Sequence, residues 1–236
     1  FEPGSKVSVK SGHGTGKTTC FAWTIPIFLT CFMDAKIPVT APSSAQLNDA
    51  LWADLQMWHN KMPPQMRDLF TWTSDHFTCK DTGSFAVART ARKEAPEALQ
   101  GFHAKELLFL IDEGSGIPEP IFQVAQGALS TPGARCAIAS NPTRTNGYFY
   151  ETFHKNRMFW DGLTFNGEDS PRVDRAFIQG IINEYGKDSD VYRVRVAGEF
   201  PEAGDMQFIS RAIVEQAVQR KIYEESQYSF APKIIG

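Results

Sequence analysis

The sequence predicts an α/β fold, a mostly parallel sheet flanked by helices, with a small C-terminal subdomain appended. Three observations predict it. Short apolar runs alternate with longer helix-like stretches through the first 150 residues, the order of strands joined by crossover helices. Two of those runs, LLFLI at 107–111 and CAIAS at 136–140, are almost wholly apolar, as strands covered on both faces are. Between the first strand and the first helix lies the glycine-rich turn SGHGTGKTT at 11–19.

Taken in order, the first strand is expected at 7–10 and is followed by the glycine turn and a helix at 18–33. That helix is apolar but too short to span a bilayer, and Pro26 is expected to kink it. A second strand at 38–41 exits through Pro42, Ser43 and Ser44 into a helix at 45–60, an ordinary strand–cap–helix junction. In nucleic-acid-driven ATPases such a segment lies near the face that meets the track. The turn Lys80-Asp81-Thr82-Gly83 suggests a hairpin inserted between Trp72 and a strand at 85–89. Strands at 107–111 and 136–140 bracket a helix at 118–129. Beyond residue 150 the pattern loosens around residues 166–171, with a helix expected at 174–185. The division expected is a core at 1–150 and a linker subdomain at 151–236. In such a sheet the ligand sits at the carboxyl edge of the strands.

The glycine turn has the form of a phosphate-binding loop. Gly12, Gly14 and Gly16 let the backbone curl so that successive N–H groups face an anion. Ser11, Gly12, His13, Gly14, Thr15, Gly16, Lys17, Thr18 and Thr19 form the candidate ATP-binding set. Lys17 supplies a positive charge for the β- and γ-phosphates, Thr18 a hydroxyl for Mg²⁺, and the helix N-terminus its partial charge. Ser11 stands where the usual pattern has glycine, and it is small enough to keep the turn feasible.

The strand at 107–111 ends in Asp112-Glu113. Asp112 can hold the Mg²⁺ shell beside Thr18, and Glu113 can orient and deprotonate an attacking water. This pair marks the additional-glutamate class of hydrolytic, RecA-like phosphate-loop NTPases. No Asn-Lys-x-Asp guanine-reading motif occurs, which favours ATP. The strand at 136–140 ends in Ser140-Asn141-Pro142-Thr143, polar groups able to sense loss of the γ-phosphate and couple it to movement. Arg89, Arg92 and Lys93 are the densest basic cluster before the carboxylate pair, a candidate for DNA phosphates or for a neighbour's nucleotide.

Composition adds bounds. The chain has 236 residues, 42% of them hydrophobic, enough for one large domain and a small appendage. A net charge of −3 gives no global pull toward nucleic acid. Cys20, Cys31, Cys79 and Cys136 show no paired spacing, so buried reduced thiols are expected rather than a disulfide framework or metal cluster. There is no signal peptide pattern, and a first residue of Phe suggests that the numbering begins inside a longer protein.

The order of segments resembles the ATPase domain of tailed-bacteriophage terminase large subunits. The matching pieces are SGHGTGKTT, VTAPSSAQ, EAPEALQGFHAKELLFLIDEGSGIPEPIF, ASNPTRTNGYFYETF and YRVRVAGEFP. The resemblance implies a DNA-packaging motor: ATP hydrolysis with Mg²⁺ drives double-stranded DNA into a procapsid. It implies a small terminase subunit and a portal as partners, a homo-oligomeric ring when assembled, a monomer in isolation, and the host cytoplasm as location. It assigns Lys17 and Thr18 to the phosphate loop, Asp112 and Glu113 to metal and base, and 140–143 to coupling. An arginine often found in or before the loop of that family is absent, Lys10 being the nearest cation. The adenine-contacting segment would precede Phe1. KIIG at 233–236 resembles the start of a nuclease strand, so no nuclease activity is expected from this fragment. The alternatives are a helicase-type or DNA-remodelling ATPase, which needs a second RecA-like domain, and an ATP-dependent assembly switch, which needs no Glu113.

Overall fold

The computed structural model describes residues 2–91, 99, 101–202 and 218. Eight strands form one sheet: β1 (Lys6–Ser11), β2 (Lys36–Thr40), β3 (Phe70–Trp72), β4 (His76–Cys79), β5 (Phe85–Ala88), β6 (Leu108–Asp112), β7 (Arg135–Ser140) and β8 (Asp161–Phe165). Their order is β3-β4-β5-β2-β6-β7-β1-β8. Pairing is parallel from β5 through β8 and antiparallel only at β3–β4 and β4–β5. The hairpin expected from the Lys80–Gly83 turn is the β4–β5 pair, so a local turn adds an antiparallel margin to a parallel sheet.

Period-two burial explains why the central strands are apolar throughout. Leu108 and Leu110 of β6 face a cluster with Phe21, Ile25 and Leu29, whereas Phe109 and Ile111 face a second cluster with Ile121, Phe122 and Phe149. The first cluster is covered by α1 (Lys17–Cys31), by a π-helical segment (Gln46–Trp52) and by α2 (Ala53–Lys61), which continues it. A short helix, α3 (Pro64–Arg67), leads on to β3. The second cluster is covered by α4 (Glu119–Ala128) and α5 (Tyr148–Phe153). Pro26 lies inside α1 without ending it, so the helix expected at 18–33 is continuous to Cys31.

β8 lies beyond residue 150 and supplies the last strand of the sheet, parallel to β1 from Val7↔Asp161 to Ser11↔Phe165. After it come α6 (Arg175–Tyr185), the single turn α7 (Asp190–Tyr192) and a π-helical segment (Arg193–Ala197). Val173, Ile178, Ile181, Tyr192 and Val196 form a third, small core of their own. Residues 203–236 other than 218, including the KIIG segment, lie outside the described residues.

The thiol expectation holds for half of its set. Cys79 and Cys136 are buried, but Cys20 and Cys31 are exposed, because both fall on the outward face of α1. Among the described residues no helix is long and apolar enough to cross a membrane.

Candidate active site

Parallel pairing puts the ends of β1, β7 and β6 side by side at one edge of the sheet. The glycine loop leaves β1, Ser140 ends β7 and Asp112 ends β6. A cavity of about 320 Å³ opens there, lined by His13, Gly14, Gly16, Lys17, Glu113 and Asn141 among others. All of its lining residues but Arg172 are ones that the sequence singled out.

The loop is held from within and from outside. Ser11 Oγ and Thr15 Oγ1 lie 2.7 Å apart, so serine in the glycine position braces the turn instead of opening it. Lys17 Nζ donates to Ser11 Oγ at 3.1 Å and to the Gly12 carbonyl at 3.3 Å, folding the ammonium back over the loop. Gly16 has φ +98°, a left-handed turn into α1 that glycine adopts without a Cβ penalty. The amides of Gly12 and His13 donate to the carbonyls of Phe165 (3.2 Å) and Arg195 (2.8 Å). The groups left to face an anion are therefore those of the later loop and the first-turn amides of α1.

Thr18 Oγ1 donates to Asp112 Oδ2 at 2.9 Å, and Asp112 Oδ1 accepts the Glu113 amide at 3.0 Å. Burial raises the Asp112 carboxyl to about 6, the Glu113 charge adds to the rise, and the Thr18 hydrogen bond opposes it. Burial also lowers the Lys17 ammonium, with Glu113 and Asp112 working against that. His13 is lowered by burial and by the charges of Lys17 and Arg195. The site thus holds two acids and a cation partly removed from water. Hard oxygen donors on Thr18 and Asp112, with excess negative charge, fit a small divalent cation such as Mg²⁺.

Glu113 has φ +50° and ψ +47°, an uncommon left-handed conformation for a non-glycine residue. Strain of this kind clusters at functional sites. The turn is enforced by packing: a Cβ on the following Gly114 would sit 2.4 Å from Ile138 Cγ2. Ser140 Oγ reaches the Glu113 carboxylate at 3.4 Å, and the Ser115 amide donates to Ser140 Oγ at 3.1 Å. Asn141 Nδ2 donates to the Ser11 carbonyl at 2.6 Å, so β7 is bonded to the loop and to the Glu113 turn at once. Pro142 and Thr143 follow outside the cavity lining, the Thr143 amide closing a turn onto the Asn141 carbonyl at 2.9 Å. Thr19 also lines the cavity, while its hydroxyl donates to Asp54 Oδ2 at 2.7 Å.

Arg89, the one described member of the basic cluster, is not brought to this site. Arg89 follows β5, four strand positions from β1 or roughly 19 Å across the sheet. Its guanidinium pairs with Asp75 at 2.6 Å. Arg92 and Lys93 lie outside the described residues. Lys10 is buried and paired with Glu199, with the rings of Phe153 and Phe200 beside its ammonium.

Sequence reasoning missed two parts of the site. The first is the backbone clamp from 193–199: a Cβ on Gly12 would stand 2.3 Å from the Val196 carbonyl, and one on Gly198 2.7 Å from Ser11 Cα. The second is Arg172, which lines the cavity from beyond β8. Both are tertiary contacts that no local motif encodes, although a glycine within an otherwise bulky run, RVRVAGEF, is a signal of close backbone approach.

No protein-family model matches the chain. It is 33% identical over 239 residues to a probable terminase large subunit of Enterobacteria phage P7, a match covering 94% of this chain and 47% of that protein. The chain thus spans about half the length of the curated relative it matches. Its fold resembles the large terminase of a thermophilic bacteriophage, with a TM-score of 0.68 at 14% identity over 86% of this chain and 49% of that one. The same phage's large terminase in complex with ADP matches with a TM-score of 0.67, at 14% identity over 85% of this chain and 49% of that one. The fold also resembles the Thermus phage P74-26 large terminase ATPase domain, with a TM-score of 0.65 at 14% identity over 84% of this chain and 89% of that one.

Proposed function

Since the chain is a relative of the phage terminase large subunits and folds as their ATPase domains do, we propose that it hydrolyses ATP to drive double-stranded DNA into a procapsid. The observation that carries this reading is the Thr18–Asp112–Glu113 arrangement beside the glycine loop. A binding site alone has no use for a strained glutamate held beside the phosphate cavity. Such an arrangement suits hydrolysis.

Lys17 and the first turn of α1 bind the phosphate chain and stabilise charge on the transferring phosphoryl group. Thr18 and Asp112 would hold Mg²⁺, which supplies charge neutralisation to the β- and γ-phosphates. Glu113 orients the attacking water and accepts its proton, with Ser140 steadying the carboxylate. Asn141, bonded to Ser11, relays the state of the loop through 140–143 to the linker subdomain. We assign that subdomain to the material that follows β8, where the third small core lies.

In this reading the working motor is a ring of such chains, docked transiently on the procapsid portal in the host cytoplasm, with a small terminase subunit selecting the DNA. The ADP bound by the thermophilic phage's terminase supports the nucleotide assignment. Mg²⁺-dependent phosphate release by the purified chain, with and without duplex DNA, tests the reading. A rate indistinguishable between wild type, Lys17→Ala and Glu113→Gln would sink it.

A further inference from the structure

Resting on the ATP-hydrolysing reading, we infer that Arg172 binds the nucleotide's phosphate chain in cis, as the second cation of the site beside Lys17. Arg172 stands in the loop between β8 and α6 and lines the same cavity as Gly16, Lys17 and Glu113. Its Nε is 3.3 Å from the point where a Cβ of Gly16 would be, so the missing Cβ lets the guanidinium lie against the loop.

The backbone that carries it is fixed. Val173 is buried in the third core with Ile178, Tyr192 and Val196, and its Cγ2 lies 3.8 Å from the Cβ position of Gly14. The Arg172 amide donates to Ser170 Oγ at 3.3 Å. The guanidinium itself is exposed and has no ion pair or side-chain hydrogen bond among the described residues. Three other cations are engaged: Lys10 pairs with Glu199, Arg193 with Glu202 at 3.2 Å, and Arg175 donates to the Glu168 carbonyl at 2.6 Å.

An arginine anchored by its backbone, free at its head and set over a phosphate cavity has one obvious partner chemistry. The guanidinium fork matches two phosphate oxygens at once, which Lys17 as a point charge cannot do. It also supplies a second cation beside Lys17 from the segment beyond β8. Nucleotide would then bridge the sheet and the third core.

The test is nucleotide binding by dilute, monomeric chain, measured with a fluorescent ATP analogue and by ADP-induced thermal shift. Variants are Arg172→Ala, Arg172→Lys and Lys17→Ala. Arg172→Ala should leave the melting temperature without nucleotide unchanged. It should weaken nucleotide affinity about tenfold or more, as expected for loss of a charge-assisted hydrogen bond, and flatten the salt dependence. Arg172→Lys should recover part of the affinity. Wild-type affinity in Arg172→Ala, with affinity lost in Lys17→Ala, overturns the inference and leaves the ATP site standing. A lowered melting temperature without rescue by lysine makes Arg172 structural and overturns it too. Wild-type affinity in both alanine variants overturns the ATP site itself.

Discussion

Thr18 and Asp112 share a 2.9 Å hydrogen bond across 94 residues of sequence, joining the first turn of α1 to the end of β6. The bond places a hydroxyl and a carboxylate where one divalent cation could meet both. It also shows why β6 must lie near β1 in the sheet: only one strand, β7, separates them. The strand order thereby builds the site that the two motifs imply, and β7 contributes Ser140 and Asn141 from between them.

Glu113→Gln should leave ATP binding nearly intact while slowing turnover by at least about 100-fold, the usual scale for loss of a general base. Lys17→Ala should act on binding instead. Steady-state hydrolysis and equilibrium binding, measured on the same preparations, separate the two. Hydrolysis by Glu113→Gln at the wild-type rate moves the base elsewhere.

Asp112 makes the free chain pH-sensitive in a predictable direction. Its folded pKa is raised from 3.8 to about 6, so the folded state holds this proton more tightly than the unfolded chain does. The associated stability is fully present below about pH 4 and is lost as pH rises to about 6, on the order of 3 kcal/mol for a rise of this size. His13, lowered from 6.5, contributes the opposite slope as pH falls below its unfolded value, so the comparison must be with Asp112→Asn. Denaturant melts at pH 4, 5, 6 and 7 without nucleotide should show wild type losing ground to the variant across that window. Parallel curves would mean that Asp112 stays ionised throughout.

Much of this site was legible because its chemistry is local. SGHGTGKTT, LIDE and ASNP each carry a turn, polar or charged side chains and a strand end within a few residues, and the parallel order brings those ends together. The hairpin was legible from its turn residues. β8 was not, because DGLTF is exposed along its whole length and carries no burial pattern to read. The two π-helical segments were not, since their composition is that of ordinary helix. Arg172 and the Gly12–Val196 approach depend on how the third core docks against the loop, which sequence spacing does not record.

Gly198→Ala should cost stability and loosen the phosphate loop together. The position has φ +70°, and an added Cβ would meet Ser11 Cα at 2.7 Å and the Gly12 nitrogen at 2.8 Å, backbone atoms that cannot rotate away. A loss of about 1–3 kcal/mol is expected for such strain. Hydrogen exchange should speed up at the His13 amide, which the Arg195 carbonyl now holds. A stability loss with unchanged exchange at His13 would confine the effect to the segment after β8 and separate it from the loop.

Duplex DNA binding should be weak, indifferent to sequence and steeply salt-dependent, since a chain of net charge −3 must rely on a local patch that neutralises phosphates. The candidate patch is Arg89, Arg92 and Lys93, of which the structure describes Arg89 alone. Arg89 is already paired with Asp75 and supports the β4–β5 hairpin, so its charge is largely spent there. Arg92→Ala with Lys93→Ala should therefore lower duplex affinity and reduce the magnitude of the log–log salt slope by about 1.8, near 0.9 for each phosphate no longer neutralised. Arg89→Ala alone should change the slope little and lower thermal stability slightly. ATP affinity should hold in Arg89→Ala, because Arg89 follows β5, four strands from the β1 edge where Lys17 lines the cavity. Superimposable salt curves for wild type and the Arg92/Lys93 double variant would move DNA binding to another part of the motor.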